Sequence, residues 1–353
     1  MMKNNYNVIG VMSGTSLDGV DLAYCKFSFD GGWNFQIVKA ETVSYSSEWK
    51  KKLKYLVELS KGELSELDKD YTLYLAEIII AFIQEHHITE IDAICSHGHT
   101  ALHEPHKGLT YQIGNLPELS IRTNKTVVCD FRVEDVALGG QGAPLVPIGD
   151  QHLFNSYRYC LNLGGFANIS YEEKGRRVAY DICPVNIVLN HYVASMGLDF
   201  DRDGAISASG AINLALLEKL NALEYYNLPA PKSLGLEWVK DVVFPIIDSF
   251  KLKINDVLRT FVEHCAIQIA AVKPDEPGLL LITGGGAFNE FFIKTLSAKS
   301  SNNLFLPEPD IINYKEALIF AFLGVLKLRG ENNCLSSVTG AKKDHSSGKI
   351  YYP

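Results

Sequence analysis

GVMSGTSLDGVD, residues 10–21, is the stretch of this chain that constrains its fold most strongly. A short apolar segment precedes it and alternating apolar residues follow it, which predicts a β-hairpin whose turn is rich in glycine, hydroxyl and carboxylate groups. Gly14 lets the backbone approach an anion, and the neighbouring hydroxyls and amides can donate to phosphate oxygens. Asp18 and Asp21 offer oxygen ligands for a hydrated Mg²⁺. Because the stretch lacks a Walker lysine and a GxGxxG pattern, an ordinary hairpin turn remains the alternative.

The composition is that of a globular protein long enough for two domains. The chain has 353 residues, of which 47% are hydrophobic and 21% charged. Its formal charge of -8 argues against a nucleic-acid partner and favours a small-molecule enzyme with a locally basic pocket for any anionic substrate. The seven cysteines form no CxxC pair, which predicts buried thiols in a reducing cytoplasm. The longest apolar run, residues 317–326, is too short to span a bilayer, so we expect no membrane role.

Strands and helices alternate along the chain, as in an α/β protein. After the opening hairpin, the first half predicts two helices at residues 48–60 and 63–86, and strands at residues 91–96, 109–113 and 126–130. The second half predicts a strand, a glycine turn and two further strands, at residues 159–163, 164–165, 168–171 and 177–182. This repetition of the opening hairpin predicts two similar α/β domains with a cleft between them.

A further glycine-rich turn follows a predicted apolar strand at residues 278–282. Gly284, Gly285 and Gly286 would permit the close approach of a flat ligand or a phosphate, and a helix is predicted directly after them. A tight strand-to-helix turn without a ligand is the alternative for this segment taken alone.

Ten motifs of the chain occur in the order expected of one enzyme family. Together with a phosphate-type hairpin in each half, they resemble the actin, hexokinase and Hsp70 ATPase superfamily and, more narrowly, the anhydro-N-acetylmuramic acid kinase family. The first and fourth motifs are long enough to be highly specific. The motifs are GVMSGTSLDGVD (10–21), SHGHTALHEP (96–105), TYQIG (110–114), VVCDFRVEDVALGGQGAPLVP (127–147), LNLGGFANIS (161–170), DGAISASG (203–210), PKSLG (231–235), TGGGAFN (283–289), EALIFAF (316–322) and SVTGA (337–341).

The resemblance implies a fold and a reaction. It implies an α/β fold of two RNase H-like domains of the actin and hexokinase type, with residues 1–133 and 318–353 in a discontinuous first domain and residues 134–317 in the second. The implied enzyme uses ATP and Mg²⁺ to open a 1,6-anhydro amino sugar hydrolytically while phosphorylating its O6, a step of peptidoglycan recycling. The implied partners are small molecules, without nucleic acid or membrane, and the resemblance is compatible with a homodimer.

The resemblance also implies which residues bind the nucleotide. The two hairpins would hold the phosphates, Asp18 would position Mg²⁺ through water, and the glycines at 284–286 would border the adenosine. The implied ATP-binding residues are Gly14, Thr15, Ser16, Leu17, Asp18, Gly19, Val20, Asp21, Gly164, Gly165, Asn168, Gly284, Gly285 and Gly286.

Asp181 is the candidate catalytic base. Opening an intramolecular acetal requires a carboxylate that takes a proton from the water attacking the anomeric carbon, while the departing O6 attacks the γ-phosphorus. Asp181 ends an apolar strand before a predicted helix at residues 185–196, which places its side chain at the rim of a cleft. Without the resemblance, a helix-capping or turn carboxylate is the stronger interpretation, and with it catalysis is favoured.

The segment around Asp181 departs from the family pattern. Where the family usually has DTGPGN this chain has DICPVN, so Cys183 and Val185 replace two glycines, and Asn190 stands where an aspartate is usual. We expect the bulkier Cys183 to narrow the pocket or to shift Asp181. The alternative function is therefore a non-catalytic or altered-substrate homologue that binds ATP and sugar.

Three residues are candidates for binding the sugar. The Arg132 guanidinium could hold the lactyl carboxylate or a phosphoryl oxygen, although a salt bridge to Glu134 or Asp135 is an equal alternative. The resemblance makes Glu316 a sugar contact at the start of a predicted helix, and the N-x-x-E spacing from Asn313 to Glu316 also fits a capping box. His97 is a substrate contact by resemblance.

Four histidines motivate a third class of function. The spacing of His97, His99, His103 and His106 is similar to that of metal ligands, which would make the chain a metallohydrolase that acts through bound water without ATP. No downstream set of acidic residues and histidines completes such a site, and His99 stands where the family usually has glutamine. A polar loop that lines the cleft is the favoured interpretation.

Overall fold

A computed structural model describes residues 3–14, 17–273 and 275–353 of the chain. Thr15 and Ser16 of the predicted phosphate turn lie outside the described residues. The strands of the described part are, in chain order, β1 Asn5–Ser13, β2 Gly19–Phe29, β3 Trp33–Ser44, β4 Ala93–Ser96, β5 His99–Glu104, β6 Leu109–Ile113, β7 Val127–Cys129, β8 Tyr159–Leu163, β9 Phe166–Glu173, β10 Arg176–Pro184, β11 Leu279–Thr283, β12 Asn303–Phe305 and β13 Lys349–Tyr351.

The α-helices lie between these strands. They are α1 Ser47–Lys54, α2 Lys61–Glu85, α3 Glu118–Thr123, α4 Val133–Ala137, α5 Pro147–Leu153, α6 Asn186–Ala194, α7 Ala205–Ser209, α8 Leu214–Asn221, α9 Leu236–Trp238, α10 Phe244–Ser249, α11 Ile254–Ala270, α12 Glu290–Ser297, α13 Pro309–Arg329 and α14 Ser336–Thr339. The longest, α2, begins at a capping box in which Ser60 and Glu63 each bond to the other's backbone N–H. A π-helical stretch, Val239–Val243, joins α9 to α10.

The first sheet is built on the opening hairpin. β1 pairs with β2 and β2 with β3 in antiparallel orientation, β4 and β7 extend the sheet in parallel on the other side of β1, and β13 pairs with β7 at the edge. A small separate sheet joins β5 to β6. At Gly10 a Cβ atom would lie 1.9 Å from the carbonyl oxygen of Ala317, so glycine is required where α13 packs directly on β1.

The second large sheet repeats this topology. β8, β9 and β10 form an antiparallel meander, and β11 and β12 continue in parallel on the far side of β8. In both sheets a three-stranded meander is thus extended by parallel strands beside its first strand, which is the RNase H-like arrangement. The expected α/β fold class with two such domains is confirmed.

The chain divides into two compact units. The first contains the residues up to Leu153 together with Tyr314–Pro353, and the second contains Phe154–Asn313. The expected domain boundary after residue 133 falls inside the first unit, and the expected return at residue 318 lies just after the observed one.

Residues 134–153, which lie in the first unit and not in the second as expected, contact residues of α13 in that unit. The buried Lys315 ammonium lies 2.7 Å from the buried Asp150 carboxylate. A Cβ atom on Gly149 would lie 2.5 Å from the Ile319 side chain, so α5 and α13 are in direct contact. Because the sequence pattern of residues 134–153 gives no sign of these long-range contacts, it could not place the boundary.

Two expectations from composition can be compared with the structure. All seven cysteines are buried, and no disulfide joins any pair of them in the described ranges. Across the described residues, we find no helix with the length and apolar character needed to cross a bilayer. The prediction of buried thiols is therefore confirmed.

Candidate functional site

In the turn of the first hairpin, the Asp18 carboxylate faces solvent and Gly19 packs against the protein interior. Asp18 is exposed, and the Leu17 N–H donates to the carbonyl of Gly14 at 3.4 Å. A Cβ atom on Gly19 would lie 2.4 Å from a carbonyl oxygen of β3, and Val20 is fully buried in the core. Of these predicted ATP-binding residues, Asp18 is thus available to a ligand, while Gly19 and Val20 build the hairpin itself.

Asp21 lies on β2 beside this turn. The Thr42 hydroxyl donates to its Oδ1 at 2.6 Å. Burial raises the pKa of Asp21, the bond from Thr42 opposes that rise, and the negative charge of Asp18 adds to it. A nearby cation would relieve this repulsion between carboxylates. The pair therefore fits a hydrated Mg²⁺, and that role stays a prediction.

A buried hydrogen-bond chain supports the hairpin turn. Ser13, the last residue of β1, bonds through Oγ to the Tyr45 hydroxyl at 2.5 Å and to His99 Nδ1 at 2.7 Å. Tyr45 bonds in turn to Tyr71 of α2. Burial lowers the pKa of His99 to about 4. The residues of this hydrogen-bond network come from separate segments, so no local pattern predicts it, and its one sign in the sequence is His99 where the family usually has glutamine.

His97 is bonded within the protein on both ring nitrogens. Its Nδ1 donates to the carbonyl of Gly98 at 2.8 Å, and its Nε2 accepts from Nε of Arg132 at 2.9 Å. Burial and the charge of Arg132 lower the pKa of His97 well below its usual value, so the ring is neutral and can accept this bond. His97 is thus a positioning residue for Arg132, and its direct contact with the sugar stays a prediction.

Arg132 is half-buried and held from two sides. Besides the bond to His97, its Nη1 donates to the carbonyl of Gly142 at 2.7 Å. Asp135 instead accepts from the Gly142 N–H at 2.7 Å. The alternative salt bridge from Arg132 to Glu134 or Asp135 is therefore not formed among the described residues. The guanidinium is fixed, and its Nη2 has no hydrogen-bond partner in the described part of the chain.

Glu316 lies inside α13, which begins before Asn313. No capping bond joins these two residues in the described structure, so the capping-box alternative is wrong, and the backbone leaves helical values at Tyr314 instead (φ -113°, ψ 15°). The Glu316 side chain is exposed, yet surrounding protein removes part of its hydration and raises its pKa. The charge of Arg132 opposes this rise and that of Asp21 adds to it. Arg132, Asp21 and Glu316 of the first unit thus lie close enough for their charges to interact.

In the second unit, three polar residues lie side by side across β8, β9 and β10. Asn162 is paired with Asn168, and Asn168 with Asp181, in the register of the antiparallel strands. Residues directly opposite one another point to the same face of a sheet. Asn168, predicted to bind phosphate, is therefore a neighbour of the candidate base, and Asn162, which no sequence motif singles out, lies beside them.

The Asp181 carboxylate is held through one of its two oxygens. The backbone N–H of Leu234 donates to Oδ2 at 2.9 Å, while the carbonyl of Asp181 accepts from the Tyr225 hydroxyl at 2.6 Å. Burial raises the pKa of Asp181, and the Leu234 N–H opposes that rise. Its Oδ1 has no hydrogen-bond partner among the described residues. The N-cap of α6 is Val185 and not Asp181, so the helix-capping alternative is wrong.

Two of the three residues that depart from the family pattern lie in the hydrophobic core. Cys183 and Val185 are both 0% exposed and belong to the hydrophobic core of the second unit. The strand register shifts between Asp181 and Cys183, which lets Asp181 remain partly accessible while Cys183 points inward. Cys183 thus contributes to the core, and the expectation that it narrows the pocket or shifts Asp181 stays a prediction. Asn190 lies exposed on α6.

The second hairpin turn is short, and the start of α6 packs against it. The carbonyl of Gly165 accepts from the N–H of Val185 at 2.8 Å, and that of Gly164 accepts from the N–H of Asn186 at 3.3 Å. A Cβ atom on Gly165 would come no closer than 3.8 Å to Ile187, so the outer side of this glycine is open.

The three consecutive glycines after β11 differ in their surroundings. A Cβ atom on Gly284, which has a φ of +82°, would lie 2.5 Å from Asn162 Oδ1, and one on Gly286 would lie 2.7 Å from Leu163 Cβ. At Gly285 nothing lies within 4 Å of such an atom. Gly284 and Gly286 are thus required by packing against β8, and Gly285 is the glycine that faces open space.

The four clustered histidines do not come together as metal ligands. His97 and His99 make the bonds described above, His103 bonds through Nδ1 to a threonine hydroxyl at 3.1 Å, and His106 is exposed. Among the described residues, the group with metal-ligand geometry lies elsewhere in the first unit. The metallohydrolase interpretation is therefore wrong for this region.

Comparison with known proteins places the chain in a family. It matches the family described as Anhydro-N-acetylmuramic acid kinase over residues 6–353. Proteins of that name from Pseudomonas syringae pv. syringae (strain B728a) and Haemophilus influenzae are 36% and 32% identical, covering 97% and 99% of this chain and 98% of each relative. A solved structure, (R)-2-hydroxyglutaryl-CoA dehydratase component A from Acidaminococcus fermentans, aligns with a TM-score of 0.46 at 12% identity over 90% of this chain and 96% of its own. The chain therefore belongs to the anhydro-N-acetylmuramic acid kinase family.

Proposed function

We propose that this protein is an ATP-dependent kinase that opens 1,6-anhydro-N-acetylmuramic acid hydrolytically and phosphorylates its O6. The product would be N-acetylmuramic acid 6-phosphate, which places the enzyme in peptidoglycan recycling. Family membership over residues 6–353 supports the reaction class. The observation that carries the proposal is the Asp181 carboxylate, which is held through one oxygen and open at the other.

Asp181 is suited to act as the general base. The bond from Leu234 fixes Oδ2, so Oδ1 can take a proton from the water that attacks the anomeric carbon. As the C1–O6 bond breaks, the electron pair stays on O6, which attacks the γ-phosphorus and displaces ADP. Burial raises the pKa of Asp181 and makes the carboxylate a stronger base than an exposed aspartate.

The phosphate groups would be bound by the two hairpin turns. In the first unit, Asp18 is the exposed carboxylate that would hold Mg²⁺ through water, with Asp21 adding negative charge nearby. The metal would neutralise charge on the phosphate oxygens during transfer. In the second unit, Gly165 and Asn168 are exposed at the other hairpin, and the open side of Gly285 suits a flat adenine.

The sugar would be bound through Arg132 and Glu316. The bonds that Arg132 donates to His97 and to the Gly142 carbonyl fix the guanidinium, and Nη2 can then bind the lactyl carboxylate. Glu316 would accept hydrogen bonds from sugar hydroxyl or amide groups. The substrate is a small molecule, and we place the enzyme in the cytoplasm, with no nucleic-acid or membrane partner and with a homodimer as the expected assembly.

Mass spectrometry of the reaction product tests this proposal directly. Purified protein incubated with Mg-ATP and 1,6-anhydro-N-acetylmuramic acid should yield a sugar that has gained one phosphoryl group and one water. The Asp181→Asn variant should yield none while it still binds ATP. A wild-type protein that binds ATP but forms no product would instead support the alternative of a non-catalytic or altered-substrate homologue.

A further inference from the structure

A buried cluster in the first unit has no part in the reaction described above. Asp135, Cys334 and His345 place one carboxylate oxygen, one thiol sulfur and one imidazole nitrogen within 4.8 Å of one another. All three residues are buried, with Asp135 0% and His345 4% exposed. Burial of two ionisable groups and a thiol together requires a compensating partner.

The backbone fixes two of these side chains relative to each other. Cys334 and His345 form an isolated antiparallel β-bridge. The Cys334 N–H donates to the His345 carbonyl at 3.1 Å, and the His345 N–H donates to the Cys334 carbonyl at 3.3 Å. Directly opposed residues of such a bridge carry their side chains on the same side. The thiol and the imidazole are therefore presented together before any ligand arrives.

The imidazole of His345 has one nitrogen bonded and one open. Its Nδ1 lies 3.1 Å from the carbonyl of Lys343, and since a carbonyl only accepts, Nδ1 carries the proton. The buried Nε2 makes no hydrogen bond in the described structure. It lies 3.6 Å from Oδ1 of Asp135, so in the neutral ring its lone pair faces a carboxylate oxygen. Two electron-rich atoms at this distance are stabilised by a cation between them.

The carboxylate is oriented by its own hydrogen bonds. The Thr339 hydroxyl donates to Oδ1 of Asp135 at 2.7 Å, and the Gly142 N–H donates to Oδ2 at 2.7 Å. Each oxygen retains a second lone pair. In protein metal sites the ligand side chains are commonly oriented by a second hydrogen bond of this kind. Asp135 is oriented by Thr339 and Gly142, and His345 by the Lys343 carbonyl.

We propose that Asp135, Cys334 and His345 bind one Zn²⁺ ion. Sulfur, nitrogen and carboxylate oxygen are the donor set that this ion takes in proteins, usually in tetrahedral geometry. Binding releases the thiol proton of Cys334, and the thiolate and carboxylate together balance the charge of the ion. The fourth position is taken by water or by the Ser347 hydroxyl, which lies close to the Cys334 thiol.

The position of this site suggests what the ion does. It would join the C-terminal segment, through Cys334 and His345, to α4, through Asp135. The same Asp135 bonds to the N–H of Gly142, whose carbonyl holds Arg132. The ion is therefore structural, and it stabilises the loop that fixes the guanidinium rather than taking part in phosphoryl transfer.

Metal content of the full chain tests this proposal. Purified protein loaded with Zn²⁺ and then desalted should retain one ion per chain by inductively coupled plasma mass spectrometry. Cys334→Ser and His345→Gln should each lose more than nine-tenths of it. Cys129→Ser, which removes another buried thiol of the same unit, should retain it.

Cobalt substitution provides a readout that folding alone does not give. Co²⁺ bound by the wild-type chain and by Cys129→Ser should show a thiolate-to-metal charge-transfer band, which Cys334→Ser should lack while its far-ultraviolet circular dichroism stays unchanged. Desalted wild-type protein without bound zinc, or equal zinc in wild type and His345→Gln, would overturn the proposal. The three residues would then form an imidazolium–carboxylate ion pair beside a buried thiol.

Discussion

The two glycine hairpins share a strand order but differ in what their turns expose. In the first unit the turn between β1 and β2 carries the exposed Asp18, and the buried chain that starts at Ser13 supports it. In the second unit the turn between β8 and β9 consists of Gly164 and Gly165, and the start of α6 packs against it. The first turn thus supplies charge, and the second supplies backbone and open space.

The acidic group of the second unit comes from a neighbouring strand instead of the turn. Asp181 lies on β10, opposite Asn168 on β9. In the proposed function the two units therefore have different tasks: the first hairpin would attract a cation through Asp18, and in the second unit Asp181 would act as a base beside Asn168. Substitutions in and around each hairpin test this division of tasks.

Asp181→Asn should lower kcat by a factor of about 10²–10⁴, because the amide cannot take the proton of the attacking water. Affinity for ATP should stay within about twofold, as the side chain keeps an acceptor for the Leu234 N–H. Product formation is measured by mass spectrometry and ATP binding by calorimetry. Asp199→Asn, an exposed aspartate of the same unit, should match wild type. Retained turnover in Asp181→Asn would assign the base to another residue.

Gly284→Ala and Gly285→Ala should separate packing from ligand contact. The first substitution adds an atom 2.5 Å from Asn162 at a φ of +82°, and should lower the free energy of unfolding of the second unit by about 2 kcal/mol. The second adds an atom to open space and should change stability by less than about 0.5 kcal/mol while raising KM for ATP. Chemical denaturation and initial-rate kinetics measure the two effects. Equal stability of the two variants would contradict the distinct roles given to these glycines.

His97→Gln should raise KM for the sugar about tenfold with a smaller change in kcat. The substitution weakens the bond to Nε of Arg132, and a hydrogen bond to a charged group contributes about 1.5–3 kcal/mol. Initial rates at varied sugar concentration give the two parameters. His106→Gln, which changes an exposed histidine of the same region, is the matched control. A fall in kcat with unchanged KM would mean that His97 takes part in the chemical step.

His99→Gln should weaken the dependence of stability on pH. The folded pKa of His99, about 4, lies below its usual value of 6.5, so the unfolded chain binds the proton more readily. Its contribution is complete above pH 6.5 and is lost as pH falls from 6.5 towards 4. Between pH 8 and pH 5.5 the variant should therefore lose about 1 kcal/mol less unfolding free energy than wild type.

A counterpart in the second unit controls for this effect. His264 is also buried, its pKa is lowered by burial to about 3, and it bonds to Asn221 and Tyr226. His264→Gln should reduce the acid sensitivity of the second unit and leave that of the first unchanged, as followed by denaturant unfolding at each pH. If His99→Gln and wild type show the same pH dependence, His99 is not buried and neutral in the folded protein.

Local sequence patterns predicted several elements at or near their observed bounds. The strands expected at residues 109–113 and 159–163 correspond to β6 and β8, and the helix expected at residues 63–86 corresponds to α2. Apolar periodicity and turn residues act over a few positions, so they are readable in the chain itself. The sequence pattern does not predict strands β3, β5, β12 and β13, because short or half-exposed edge strands have a weak apolar pattern.

Motifs and periodicity are properties of neighbouring residues, so the α/β class, the duplicated hairpin, the family and the candidate base can be inferred from the amino-acid sequence. Three further facts come from the folded structure: His97 holds Arg132, Cys183 lies in the core, and of the glycines at 284–286 Gly285 faces open space. Each of these facts depends on atoms brought together from distant segments. Burial and hydrogen-bond geometry at such contacts are set by packing, which no local pattern specifies.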